Sequence, residues 1–184
     1  MKDDLKYRFL KGLAETLDIT RTMKDFPEAK SQDIRSLFLE FADTFKNRKS
    51  VNIYADGASR GNPGNAGAGI LITAEDGKVI KKTGKFLGKT TNNEAEYQAL
   101  IIALEEAKAM GATDIKIFAD SELMVRQIKG EYKVKSAGLR PLYSKAMSIL
   151  MGFKRYDIIH IERDKNKEAD RLANEAIDSA NLLK

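Results

Sequence analysis

The chain has 184 residues, 42% of them apolar and 32% charged, with a net charge of +5. Such a composition can bury a core and argues against disorder, while runs such as Leu100 to Leu104 fall far short of the roughly 20 apolar residues a bilayer span needs. The absence of cysteine and the single histidine, His160, exclude disulfides, thiolate zinc sites, iron–sulfur clusters and cysteine nucleophiles, so chemistry is left to carboxylates, hydroxyls, amides and basic side chains.

Met1-Lys2-Asp3-Asp4 is followed by no apolar stretch of the kind a secretory signal carries, and a cytoplasmic location is expected. Residues 1–46 read as three helices: Leu5 to Leu17, Thr20 to Phe26 and Ser31 to Phe45. In the third, Ile34, Leu37, Phe38, Phe41, Ala42 and Phe45 recur at helical spacing and predict one apolar stripe, with Ser31 as N-cap. Three helices in so few residues make a marginal core, which suggests docking, dimerisation or a helix-turn-helix-like role. Residues 47–50 form a polar linker.

From residue 51 the pattern changes. Val51 to Ala55, Gly67 to Thr73 and Lys78 to Phe86 alternate like strands, and Glu75-Asp76-Gly77 predicts a type I′ hairpin turn between the last two. A helix follows over Asn93 to Ala109, then a strand over Asp114 to Ala119. Helices over Ser121 to Lys129 and Leu139 to Gly152, a strand over Tyr156 to Glu162 and a helix over Lys167 to Leu183 complete the chain. This order predicts an α/β domain over 51–184, a mixed sheet flanked by helices, preceded by a small all-α domain.

Four carboxylates stand out. Asp56 and Asp120 are expected at the ends of strands, where open α/β sheets bind ligands, although Asp120 could equally cap the helix that follows. Glu96 shares a helical stripe with Ala99, Leu100, Ala103 and Ala107, so it points inward, and Glu94 is expected to face solvent. Asp170 opens the last helix beside Ala169 and Ala173. Buried carboxylates need compensation, and four of them without histidine or thiol suit a hard divalent cation such as Mg2+. Paired ions of this kind support in-line phosphoryl displacement, which points to a nuclease.

The motifs Asp56-Gly57-Ala58-Ser59-Arg60-Gly61-Asn62-Pro63-Gly64, Thr90-Thr91-Asn92-Asn93-Glu94-Ala95-Glu96, Asp120-Ser121 and Asn166-Lys167-Glu168-Ala169-Asp170 resemble, in order, those of the type 1 ribonuclease H family. The resemblance spans about residues 51–180. It implies an RNase H fold with a five-stranded mixed sheet, and hydrolysis of the RNA strand of RNA/DNA hybrids to 5′-phosphate and 3′-hydroxyl ends. It also implies two Mg2+ ions, replaceable by Mn2+, held by Asp56, Glu96, Asp120 and Asp170. Ser59, Asn62, Thr91, Asn93 and Ser121 would contact the hybrid, with small neutral donors suited to the RNA 2′-hydroxyl. Asn93 could cap its helix instead, or do both.

Two departures qualify the resemblance. His160 has the spacing of the family's mobile histidine but lies within an expected strand, so it reads as structural. Arg163 is the preferred candidate for that catalytic place. The basic protrusion that some members insert is missing, and the stretch from Lys129 to Arg140, with Lys133 and Lys135, reads either as a small basic patch for the hybrid or as a solvated charged loop. Residues 1–50 carry a net charge of only +2, which argues against an electrostatic clamp there and leaves a homodimer or protein contact through residues 1–46 as the expectation. An inactive nucleic-acid-binding regulator and a DNA-directed nuclease on the same fold are the alternatives.

Overall fold

The computed structural model describes residues 1–46 and 49–182, with the backbone alone described for residues 40, 42–46 and 181. Asn47 and Arg48 of the expected linker, Leu183 of the last expected helix and the side chains of Ala42 and Phe45 lie outside the described residues. The chain divides into two compact units, Met1–Arg48 and Lys49–Lys184. Among the described residues, no helix is long and apolar enough to cross a membrane.

The first unit consists of α1 (Asp3–Thr16), α2 (Ile19–Asp25) and α3 (Ser31–Lys46). Asp18 starts α2 by accepting the backbone N–H groups of Thr20 and Arg21, which gives otherwise orphaned donors a partner. Phe9, Ala29, Ile34 and Leu37 form the core, and Phe9 meets Phe26 edge to face with centroids 6.1 Å apart. Two expectations for α3 need correction. The Ile34 N–H donates to the Lys30 carbonyl, so Lys30 holds the cap position and Ser31 is the first helical residue. Phe41, expected on the buried stripe, is 53% exposed, because it lies about 10 Å along the axis from Ile34, past the small core.

The second unit comprises β1 (Ser50–Gly61), β2 (Gly64–Thr73), β3 (Val79–Thr90), α4 (Asn92–Ala109), β4 (Asp114–Ala119), α5 (Glu122–Ile128), α6 (Leu139–Leu150), β5 (Arg155–His160), a 3-10 turn (Arg163–Lys165) and α7 (Lys167–Leu182). The five strands make one mixed sheet in the order β3-β2-β1-β4-β5. β1 pairs antiparallel with β2 and parallel with β4. Val51, Ile53 and Ala55 point to one face with Ile70, Ile72, Ile115 and Ile117 nearby in the core. α4 covers that face, and its alanines Ala95, Ala99, Ala103 and Ala107 are fully buried, so small residues let the helix approach closely. Its outer side packs against α6, which explains why Ile101 and Leu104 are buried too.

β1 does not stop at Ala55, as the glycines after it suggest. It runs on to Gly61 as a long hairpin with β2, so Asp56 lies in mid-strand, paired with Gly69, and opens no loop. The turn between β2 and β3 also differs from the expected type I′. Only Gly77 has positive φ, the Gly77 N–H donates to the Ala74 carbonyl, and the Asp76 carboxylate accepts the Lys78 N–H. That is a three-residue loop in which a single αL position suffices. β3 is an edge strand carrying Lys81, Lys82, Lys85 and Lys89. Lys81 pairs with Glu106 at 3.1 Å and Lys82 with Glu168 at 2.7 Å.

Candidate active site

Two backbone crossings assemble the site around Asp56. At its neighbour Gly57, an added Cβ would lie 2.2 Å from the Ala95 carbonyl carbon and the Glu96 nitrogen, so only glycine lets α4 cross β1 there. At its ladder partner Gly69, a Cβ would lie 1.9 Å from the Ala169 carbonyl oxygen. The first crossing brings Glu96 to Asp56, and the second brings Asp170. Asp120 arrives from the end of β4, the parallel neighbour of β1 on its other side.

Two of the four carboxylates, Asp56 and Glu96, feel the charge of their neighbours. Burial pushes Asp56, only 8% exposed, up to about 7, and the negative charges of Asp120 and Asp170 push the same way against the opposing pull of Arg163 and the Gly57 N–H. Burial likewise pushes Glu96 up to about 8. The Ser121 hydroxyl and the Asn92 amide favour its charged form, while Asp56 and Asp120 oppose it. Like charges have thus been gathered around one buried carboxylate, an arrangement that stability alone does not favour.

Side chains around the site each take a carboxylate oxygen. Asn92 Nδ2 donates to Glu96 Oε1 at 3.2 Å, and Asn166 Nδ2 donates to Asp120 Oδ1 at 2.8 Å. Arg163 Nη2 donates to Asp170 Oδ1 at 2.7 Å. Among the described residues, no three acidic or histidine side chains form a ready-made cation cage. The donor set still fits hard cations, because it is all oxygen, two of its members sit well above the ordinary carboxylate range, and added positive charge would relieve both.

The remaining sequence-predicted residues fall into three groups. Thr91, not Asn93, caps α4: its hydroxyl accepts the Glu94 N–H, and the Glu94 carboxylate accepts the Thr91 N–H in a capping box. Glu94 is therefore half-buried and tied to the start of the helix, and the Thr90 hydroxyl, donating at 2.6 Å, holds it below the usual carboxylate range. Ser121, rather than Asp120, caps α5 by accepting the Met124 N–H, which leaves Asp120 to the site. Ser59 is half-buried and its hydroxyl lies within donating distance of the Thr90 and Gly61 carbonyls, so it joins the ends of β1 and β3. Asn62 Oδ1 accepts the Asn92 N–H at 3.1 Å, fixing the β1–β2 turn against the start of α4, and Asn93 is exposed beside it. Lys133 and Lys135 are exposed on the α5–α6 connection and are not among the chief charges acting on Asp56 or Glu96.

His160 is exposed at the end of β5, with Nε2 3.2 Å from the Asp120 carbonyl oxygen. Asn166 is the residue that sequence reasoning quoted within a motif but assigned no task. It is 1% exposed, it bridges the Ala55 carbonyl and Asp120, and its own Oδ1 has no hydrogen-bond partner. The signal was its place ahead of Asp170; its partners lie far away in sequence.

The family model described as "Reverse transcriptase-like" matches residues 54–176. A "Ribonuclease HI" from Halobacterium salinarum is 44% identical over 130 residues, which are 71% of this chain and 65% of that protein. The chain thus spans just under two thirds of that relative's length, and 36% of the length of an "Uncharacterized protein" from Mycobacterium bovis that it also matches. The crystal structure of RNase H1 from H. salinarum superposes with a TM-score of 0.70 at 43% identity, covering 71% of this chain and 98% of that one. LC11-RNase H1 in complex with an RNA/DNA hybrid gives a TM-score of 0.68 at 44% identity, covering 71% and 98%. The sheet order, the four motifs and these matches over residues of the second unit agree: the chain belongs to the type 1 ribonuclease H family.

Proposed function

We propose that the chain is an endoribonuclease that hydrolyses the RNA strand of RNA/DNA hybrids, leaving 5′-phosphate and 3′-hydroxyl ends. The observation that carries this reading is Asp56, buried in mid-strand with three further carboxylates brought to it by separate elements. The hybrid seen with the related LC11 protein supports the choice of substrate. Asp56, Glu96, Asp120 and Asp170 would hold two Mg2+ ions, or Mn2+ in their place. The chemistry such ions supply is Lewis acidity toward the attacking water and the departing 3′ oxygen.

The chain's own residues do the rest. Asn166 fixes Asp120, and Asn92 and Ser121 fix Glu96, so the carboxylates keep their orientation while the substrate changes. Asn62 and Asn93, both exposed near the start of α4, offer neutral amide donors to a minor groove lined with 2′-hydroxyls, with Ser59 and Thr91 shaping the backbone beneath them. Lys133 and Lys135 offer phosphate contacts. Arg163 places positive charge beside Asp170, where a scissile phosphate would sit.

The test is cleavage of an end-labelled hybrid in Mg2+ and in Mn2+, with single-stranded RNA, duplex RNA, duplex DNA and the Asp120→Asn variant as controls. Cleavage confined to the hybrid and lost in the variant is expected. Folded protein that cuts nothing in either metal would refute the proposal, and cleavage of duplex DNA would redirect it to a DNA nuclease.

Residues 1–46 form, on this reading, a separate docking or dimerisation domain. Its small core leaves Tyr7, Leu17, Leu39 and Phe41 more than half exposed, apolar side chains of the kind that a protein contact would cover. If a chain lacking residues 1–46 keeps its oligomeric state by light scattering and its hybrid affinity, that role is discarded.

A further inference from the structure

Arg163 lies in the short turn that leads into α7, and its guanidinium donates to Asp170 Oδ1 at 2.7 Å. The contact is exposed: the arginine side chain keeps 78% of its accessible surface and the aspartate 28%. Arg163 is the one positive charge among the chief influences on Asp56, and Asp120 also lies within its electrostatic reach. With Asn166 on Asp120, two of the four carboxylates are engaged by side chains from the single stretch 163–170. Asp170 therefore has a partner already.

We infer that Arg163 is an internal counter-ion for the active site, holding Asp170 while no divalent cation is bound and releasing it when one binds. The inference rests on the active-site reading above and adds a coupling to it. A cation that needs Asp170 must displace the guanidinium. Displacement is easy, because one exposed hydrogen-bonded pair shifts an equilibrium by no more than about fivefold. The released guanidinium, tethered a few ångströms from the same carboxylates, then becomes available to a phosphate. Cation uptake thus reduces the acidic site's repulsion toward the substrate and frees a cation for it in one event. By linkage, a substrate phosphate that captures Arg163 improves cation binding by the same factor.

The test needs no turnover. Isothermal titration of Mg2+ and of Mn2+ into the full chain without nucleic acid is compared between the wild type and Arg163→Gln. The variant should bind roughly two- to fivefold more tightly, because Asp170 is free from the start. The gain should shrink at high salt, where the exposed pair is already weakened. In parallel, the Arg163 side-chain 15N–1H signals should report a restrained guanidinium without Mg2+ and a mobile one at saturation. Arg163 is exposed, so the variant is expected to fold, and its circular dichroism checks this. Equal or weaker cation affinity in Arg163→Gln, or Arg163 signals unmoved by saturating Mg2+, overturns the counter-ion role while leaving the nuclease reading intact. Absence of any cation uptake by both proteins overturns the active-site reading and this inference with it, and the hybrid cleavage assay distinguishes that case.

Discussion

Asp56 and Gly69 face each other across the β1–β2 ladder, and the residue without a side chain is what allows the charged one its neighbours. α7 crosses at Gly69 with the Ala169 carbonyl where a Cβ would be, so the next residue, Asp170, is delivered beside Asp56. Gly57 does the same for Glu96 on the opposite face.

Replacing either glycine by alanine should therefore be expensive. A Cβ 1.9 Å or 2.2 Å from backbone atoms cannot be accommodated by a side-chain rotation, and the helix must move. Gly69→Ala and Gly57→Ala should each lose roughly 2–4 kcal/mol in urea unfolding. Activity should fall further than the folded fraction does, since the crossings set carboxylate spacing. A loss under about 0.5 kcal/mol would show that the crossings are not tight.

The elevated carboxyls make the cation-free protein sensitive to pH. The folded-state values of about 7 for Asp56 and about 8 for Glu96 lie above the ordinary 3.8 and 4.5, so the folded chain binds more protons than the unfolded one between pH 4 and 8. Stability should then fall as pH rises through that window, and it should be largest at the acid end of it. Asp56→Asn should remove much of the slope and raise cation-free stability at pH 8 by on the order of 1–3 kcal/mol. Chemical unfolding of both proteins in EDTA across the window checks this, and a flat wild-type profile would contradict it.

Asn166 orients one of the acids from a buried position. Asn166→Ala breaks its contacts to Ala55 and Asp120 and should cost about 1–3 kcal/mol in stability. Its effect on hybrid cleavage should be roughly 10–100-fold, the scale expected when a ligand's supporting hydrogen bond is removed. Measuring the Mg2+ concentration for half-maximal rate separates the roles. A rise marks an orienting residue, whereas an unchanged value with reduced stability marks a purely structural one.

The capping box offers a milder test. Thr91→Ala should cost about 1 kcal/mol, because the Glu94 N–H loses its acceptor at the exposed start of α4. Asn93→Ala should change stability by under about 0.5 kcal/mol, yet weaken hybrid binding if Asn93 meets the substrate. Equal stability losses for the two would contradict the assignment of the cap.

The architecture was legible where local pattern and burial agree. β4 matches its expected bounds from Asp114 to Ala119, since a short apolar run between two loops has little else to become. Glu96 could be picked out because an acid on an alanine stripe conflicts with its surroundings. The extension of β1 through Gly57 to Gly61 was not legible, because glycines that serve close helix crossings look the same in sequence as glycines that serve turns. The assignment of caps to Thr91 and Ser121 depended on which of several adjacent polar residues starts the helix, a one-residue question that periodicity does not answer. The contacts of Arg163 and Asn166 were invisible for another reason: they depend on where α7 docks, and Asn166 reaches back to Ala55 and Asp120 across most of the domain.

The four acids come from β1, α4, the end of β4 and α7, so no contiguous segment contains more than a fraction of the site. A chain still being synthesised carries three of them before Asp170 exists, so the set of four is completed only with the last helix. The same holds in reverse for a mature molecule in which α7 briefly detaches. Asp170, Asn166 and Arg163 all depend on how the stretch from Arg163 onward docks, so its detachment would withdraw all three from the site at once.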